Sequence, residues 1–214
     1  MSFSSYNALI DSLIRDGYLK TPRIIDAFKA TDRAGFVLQA LISRAYENIP
    51  LPIGYKQTIS QPLTVAFMLE LLQPEAGNKI LEIGAGSGWQ TALLAYCVGD
   101  KGKVLALERI PEISAYGERN VSNYGFISSG RVQWKCEDGS SGFLSEAPYD
   151  RIIAAASASE FPESWLKQLT AGGRLVVPVK NSIWLAVRGE KEGEFRKTEY
   201  PGFAFVPLIH NQNT

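Results

Sequence analysis

Apolar residues change their spacing twice along this chain, and the changes divide it into three stretches. From residue 5 to residue 45 they recur at helical spacing. Thr21-Pro22 reads as an N-cap followed by proline at the first helical position, and Ile24, Ile25 and Phe28 continue the period. Residues 46 to 60 contain Pro50, Pro52 and Gly54, hold no helical period, and are read as a loop leading into a helix. That helix, about 61 to 73, carries Leu63, Ala66, Phe67, Leu69, Leu71 and Leu72, a stripe broad enough to lie on a sheet.

Short apolar runs then alternate with helical segments. Strands are expected at 79 to 83, 103 to 108, 131 to 136, 150 to 155, 173 to 178, 182 to 188 and 203 to 208, with helices near 89 to 98, 112 to 124 and 162 to 169. Such alternation builds a mainly parallel sheet with helices on both faces. The polar segment Arg188 to Glu194 joins Ile183–Val187 to Phe195–Tyr200 and reads as a hairpin closing the sheet, and Ser122 to Gly130 as a helix-to-strand connection. The expectation is an α/β, Rossmann-like domain: seven strands, mainly parallel, with a C-terminal antiparallel hairpin and an N-terminal helical extension. Residues 1–60 form the extension and a loop, residues 61–214 the core, within one structural domain.

Length agrees, since 214 residues suffice for one full core and not for two catalytic domains. Lysine plus arginine balances aspartate plus glutamate at 22 each, so no basic field attracts nucleic acid or an anionic membrane. Met1 to Ile10 lacks the charge and apolar pattern of a signal peptide, and no apolar run reaches the roughly 18 residues of a membrane span. A cytoplasmic, soluble monomer is expected. Cys97 in a helix and Cys136 in a strand are read as buried, reduced thiols. His210, the single histidine, has no Cys, Asp or Glu near it in sequence; it is read as a tail residue without a role, and no metal is expected.

The candidate chemistry begins at Leu81-Glu82-Ile83-Gly84-Ala85-Gly86-Ser87-Gly88. A strand, a glycine turn and a helix let backbone approach a ligand closely. Dinucleotide folds use G-x-G-x-x-G at this point; here the spacing is G-x-G-x-G, and Glu82 sets a carboxylate where a pyrophosphate would be repelled. A ligand carrying sulfonium and ammonium groups suits that carboxylate, which points to S-adenosylmethionine. Ligands of open α/β sheets lie across the carboxyl ends of the strands. Glu108, after the second strand, is placed to accept the ribose hydroxyls; Asp138, before Gly139 after the third, to accept from the adenine amino group. Trp89, at the start of a helix, is read as packing. Ser60, just before a helix, fits either an N-cap or a hydrogen-bond donor to a carboxylate acceptor.

Several segments in order resemble the protein-L-isoaspartate (D-aspartate) O-methyltransferase family over nearly the whole chain. Leu51-Pro52-Ile53-Gly54 and Gln57-Thr58-Ile59-Ser60-Gln61-Pro62 resemble its substrate-side motif, and Leu81 to Gly88 with Gln90-Thr91-Ala92 its cofactor loop. Glu108-Arg109, Asp138-Gly139, Ala147-Pro148-Tyr149-Asp150, Gln168-Leu169 with Gly172-Gly173, and Phe205-Val206-Pro207-Leu208 follow as in the family. The resemblance implies the class I S-adenosylmethionine-dependent methyltransferase fold and methylation of the free α-carboxyl of isoaspartyl residues in damaged proteins or peptides. The ester then closes to a succinimide, whose hydrolysis returns some normal aspartyl peptide. It also implies Ser60 as the active-site serine and Thr58, Ile59, Glu108, Asp138 and Gly139 as cofactor contacts; the same motifs put Glu82, Gly84, Gly86, Ser87 and Arg109 there. The chain departs from the pattern at Lys56, where glycine is common, at Ala154-Ala155-Ala156, where a Thr-Ala pair is frequent, and at Trp89, where tyrosine is common. Lys56 and Ala155 motivate an alternative acceptor: a dedicated peptide, a normal aspartate or a small-molecule acid. A nicotinamide oxidoreductase and a non-catalytic cofactor-binding protein are the readings from other classes.

Overall fold

Leu81, Ile83, Leu105 and Leu107 pack on one side of their strands and Ile80, Val104 and Ala106 on the other, so the centre of the sheet is covered on both faces. A computed structural model describes residues 5–191 and 193–209 of the chain. Its main sheet is built from β3 (Lys79–Ile83), β4 (Lys103–Leu107), β5 (Val132–Lys135), β6 (Tyr149–Ala154), β7 (Leu169–Val179), β8 (Ser182–Arg188) and β9 (Phe195–Pro201). The spatial order is β5-β4-β3-β6-β7-β8-β9, parallel from β5 to β7, with β8 antiparallel to both its neighbours. Chain direction across the sheet reverses between β3 and β6, and a crevice opens there beyond the strand ends.

The helices are α1 (Tyr6–Arg15), α2 (Pro22–Ala30), α3 (Pro62–Leu72), α4 (Trp89–Val98), α5 (Pro111–Ser122) and the short α6 (Glu163–Leu166). In α4 every side chain except Tyr96 is buried, as a helix between a sheet and a further helical layer requires. That outer layer is α2, whose Phe28 meets Trp89 edge-on at 5.5 Å. One hydrophobic cluster runs from Tyr6 and Leu9 through Phe28, Trp89 and Val104 to Ile183. Among the described residues no helix is long and apolar enough to cross a membrane.

The structure corrects several expectations. Residues 46 to 60 are not only loop: β1 (Leu51–Gly54) and β2 (Gln57–Ile59) pair antiparallel. Their turn sets Tyr55 and Lys56 at φ 50° and 59°, the left-handed pair that a two-residue hairpin needs. The seventh strand is Phe195–Pro201, not 203 to 208. Gly202 turns at φ 97°, Gly202 and Phe203 both donate to the Asn181 carbonyl, and the following segment keeps only a bridge between Ser157 and Pro207. Cys97 is buried, whereas Cys136 lies past the last ladder pair of β5 and is exposed. Thr21 precedes α2 but gives it no side-chain cap, because its hydroxyl donates to Glu70 at 2.7 Å. His210 lies outside the described residues.

Candidate active site

Gly84, Gly86 and Gly88 take φ of 78°, 57° and 85°, left-handed values that side chains resist. Gly84 and Ala85 donate their N–H groups to the Leu107 carbonyl, which ties the loop to β4. The three glycines do different work. A Cβ on Gly88 would come within 2.6 Å of Val121 Cγ2 and 2.9 Å of the Gly117 carbonyl oxygen, so this position lets α4 close on α5. A Cβ on Gly84 or Gly86 would meet only ordinary contacts, with Ala156 at 3.9 Å and Ile53 Cδ1 at 3.6 Å. Their bareness opens the floor of a cleft.

That cleft opens beyond the ends of β3, β4, β5 and β6. Thr58, Gly84, Gly86, Glu108, Arg109, Asp138 and Gly139 line it, with Val206 to Ile209 closing one side. Glu108 is buried; its two carboxylate oxygens accept from the N–H groups of Gly86 and Ile110, each at 3.0 Å. These bonds leave lone pairs on both oxygens for the cleft. Asp138 accepts from the Ser140 N–H at 2.9 Å, which fixes its carboxylate at the strand end.

Beneath the cleft a recess is lined by Thr58, Ile59, Ser60, Glu82, Ser87 and Gln90, among others. Glu82 has no exposed surface and accepts from Gln90 Nε2 at 3.0 Å and from the Thr91 hydroxyl at 2.5 Å. Burial pushes its carboxyl up to about 7, against the pull of those two hydrogen bonds. Ser87 is buried, and its carbonyl accepts from Asn120 Nδ2 at 2.9 Å.

A second cavity joins the cleft, sharing Thr58, Ala155 and Val206 with it. Ser60, Gln61 and Thr64 bring it polar groups; Pro50, Ala204 and Phe205 bring apolar ones. Ser60 is not the N-cap of α3, since Gln61 holds that position, and the Ser60 hydroxyl has no hydrogen-bond partner among the described residues. Its carbonyl accepts from Arg33 at 3.0 Å. The same guanidinium donates to the carbonyls of Ala45, Glu47 and Ile49, so one fully buried cation holds the strand of chain that carries Ser60. Burial lowers the Arg33 pKa to about 10. Arg33 was not legible as a site residue, because in sequence it is one charge in a helical stretch. The roof from Val206 to Leu208 was legible only as a motif, its place being misread as a strand.

The three departures from the family pattern also find places. Lys56 is exposed at the hairpin turn and lines neither cavity; a left-handed φ accounts for glycine being common there. Trp89 is buried, with its indole N–H donating to the Thr31 carbonyl at 3.1 Å, and it also lines the recess that holds Glu82. Ala155 lines both cavities and brings no donor to either.

A glycine turn after β3, an acid after β4 and another after β5, facing one crevice of a seven-stranded sheet, define the class I S-adenosylmethionine-dependent methyltransferase fold. Within that class the comparisons are specific. The family model for protein-L-isoaspartate (D-aspartate) O-methyltransferase matches residues 4–213. A Methanopyrus kandleri protein-L-isoaspartate O-methyltransferase is 43% identical over 205 residues, covering 94% of this chain and 89% of its own. One from Aeropyrum pernix is 40% identical over 204 residues, covering 94% and 78%. A solved protein-L-isoaspartate O-methyltransferase superposes with a TM-score of 0.85 at 28% identity, over 97% of this chain and 67% of that one. A candidate member from Plasmodium falciparum, crystallised with S-adenosyl-L-homocysteine, shares the fold at a TM-score of 0.86 and 20% identity, over 98% and 100%. The chain belongs to the protein-L-isoaspartate (D-aspartate) O-methyltransferase family.

Proposed function

We propose that this enzyme transfers a methyl group from S-adenosylmethionine to the α-carboxyl of L-isoaspartyl residues in damaged proteins or peptides, starting their repair. The observation that carries the reading is the pairing of an acid-lined cleft with a second cavity into which the free Ser60 hydroxyl opens. The residues fit the cofactor. Glu82, Glu108 and Asp138 bring carboxylates to a cleft whose floor is bare glycine, which favours a cationic nucleoside over a pyrophosphate. S-adenosylmethionine supplies the activated methyl group.

In this reading Glu108 accepts from the ribose hydroxyls and Asp138 from the adenine amino group, while Gly84, Gly86, Ser87 and Gly139 give close approach. Glu82 lies nearest the ammonium end, and Thr58, Ile59 and Arg109 complete the walls. An acceptor carboxyl with an ordinary pKa near 4 is already ionised at neutral pH, so the reaction needs no general base. What it needs is alignment: Ser60 donates to one carboxylate oxygen and leaves the other facing the methyl group, and Phe205 and Val206 exclude water. Ser60 is the catalytic residue of this proposal.

Incubation with labelled S-adenosylmethionine tests the assignment. An isoaspartyl peptide should gain base-labile label, and Ser60→Ala should lose most of the rate while still binding S-adenosylhomocysteine. A preference for a normal aspartyl peptide or a small acid would move the assignment to the alternative acceptor that Ala155 motivates.

Residues 1–60 and 61–214 act as one structural domain, supported by the single cluster from Tyr6 to Ile183. We infer that the enzyme works as a cytoplasmic monomer without metal, and the balance of 22 basic and 22 acidic residues supports an enzyme that draws neither nucleic acid nor an anionic membrane.

A further inference from the structure

The acceptor cavity presents a problem of charge. Among the described residues, neither a cationic nor an anionic side chain lines it, yet a carboxylate has to be held there after losing much of its water. A buried carboxylate without partners is strongly disfavoured, so neutral donors must suffice. Ser60 is one. Ala155, on another wall of the cavity, offers only a methyl group.

Thr64 opens into the same cavity. Its residue is 8% exposed, and its hydroxyl has no hydrogen-bond partner among the described residues. That hydroxyl keeps accessible surface at the cavity instead of being sealed in the core, so it can donate to an occupant. Thr64 is also the third residue of α3, a helix with no side-chain cap. The Leu63 N–H is taken by Asn48 Oδ1 and the Val65 N–H by the Gln61 carbonyl. The Thr64 N–H finds no acceptor among the described residues, and the Ser60 carbonyl it might have met accepts from Arg33 instead. Thr64 therefore brings an unpartnered hydroxyl to the cavity and leaves an unpaired N–H at the helix end, where the dipole favours an anion.

We propose that Thr64 is a second acceptor-binding residue: its hydroxyl and N–H donate to the acceptor carboxylate beside Ser60, replacing from α3 the hydroxyl that Ala155 lacks. This rests on the carboxyl-methylation reading above and specifies how the acceptor is held.

The test compares the parent, Thr64→Val and Thr64→Ser in steady-state methylation of an isoaspartyl peptide, with S-adenosylhomocysteine affinity measured in parallel. Valine keeps the shape and the N–H and removes the hydroxyl. Loss of one hydrogen bond to a charged group should raise the peptide KM or lower kcat/KM by about 10- to 100-fold. Thr64→Ser should return to within about threefold of the parent, with cofactor affinity unchanged to about twofold in both variants. A Thr64→Val enzyme with parental kcat/KM overturns the assignment, as does a Thr64→Ser enzyme as impaired as Thr64→Val. A parent that binds S-adenosylhomocysteine and leaves the peptide unmethylated instead removes the function reading, and this one with it.

Discussion

Glu82 is a carboxylate in the middle of a buried strand, and its energetics follow from that position. No part of it is exposed, so the charged form is disfavoured and the carboxyl is raised from 4.5 to about 7. A carboxyl raised on folding stabilises fully below its unfolded pKa, and that contribution is lost as pH climbs through the folded one. The unliganded protein should therefore lose about 3 kcal/mol of stability between pH 4.5 and pH 8 through this residue alone. Glu82→Gln, which keeps a polar group against Gln90 and Thr91, should remove that part of the pH dependence. Its loss of charge should weaken S-adenosylmethionine binding at pH 8 by about tenfold or more. Urea titrations across the pH range, with cofactor titration at pH 8, check both; an unchanged pH profile in the variant would contradict the account. The sequence disclosed that an acid precedes the glycines. Its partners, one turn into the next helix, became readable as partners only once β3 and α4 were seen packed together. Thr64 is a harder case, since nothing in Pro62-Leu63-Thr64 separates it from a helix residue facing solvent.

Elements were legible where periodicity was strong. β3, β4 and α4 fall where alternating apolar runs set them, because burial on two faces leaves few other solutions. The 51–59 hairpin escaped because its turn is Tyr55-Lys56, without the Asn-Gly or Asp-Gly signal that marks such turns. The 203–208 run looked like a strand and is instead the wall of the cleft, its apolar residues half-buried or exposed along the site and not paired in a ladder. The hairpin also carries a cost. Lys56 holds a left-handed conformation that disfavours a side chain by about 1–2 kcal/mol, part of which glycine returns as chain entropy. Lys56→Gly should therefore raise stability by about 0.5–1 kcal/mol in a denaturation midpoint, with peptide methylation unchanged. A loss of methylation would mean that the ammonium reaches the acceptor.

At the scale of the molecule, the seven-stranded sheet opens a cleft at its strand ends, and the cavity proposed for the acceptor joins it there. The choice of cofactor separates this protein from the oxidoreductases that share a Rossmann-like sheet. Saturating S-adenosylhomocysteine should raise the melting temperature by several degrees, since about 100-fold excess over Kd contributes roughly 2.7 kcal/mol. NAD at the same concentration should leave it in place. A shift with NAD alone would contradict the assignment.

The central claim is that the acceptor is an isoaspartyl carboxyl, and the most direct measurement is the ratio of kcat/KM for two peptides that differ only in an isoaspartyl or a normal aspartyl link. The account predicts base-labile methyl ester on the isoaspartyl peptide, a ratio of at least about 100 in its favour, and slow conversion of that peptide to the normal form. Equal rates on both peptides, or faster methylation of the normal aspartyl one, would contradict it.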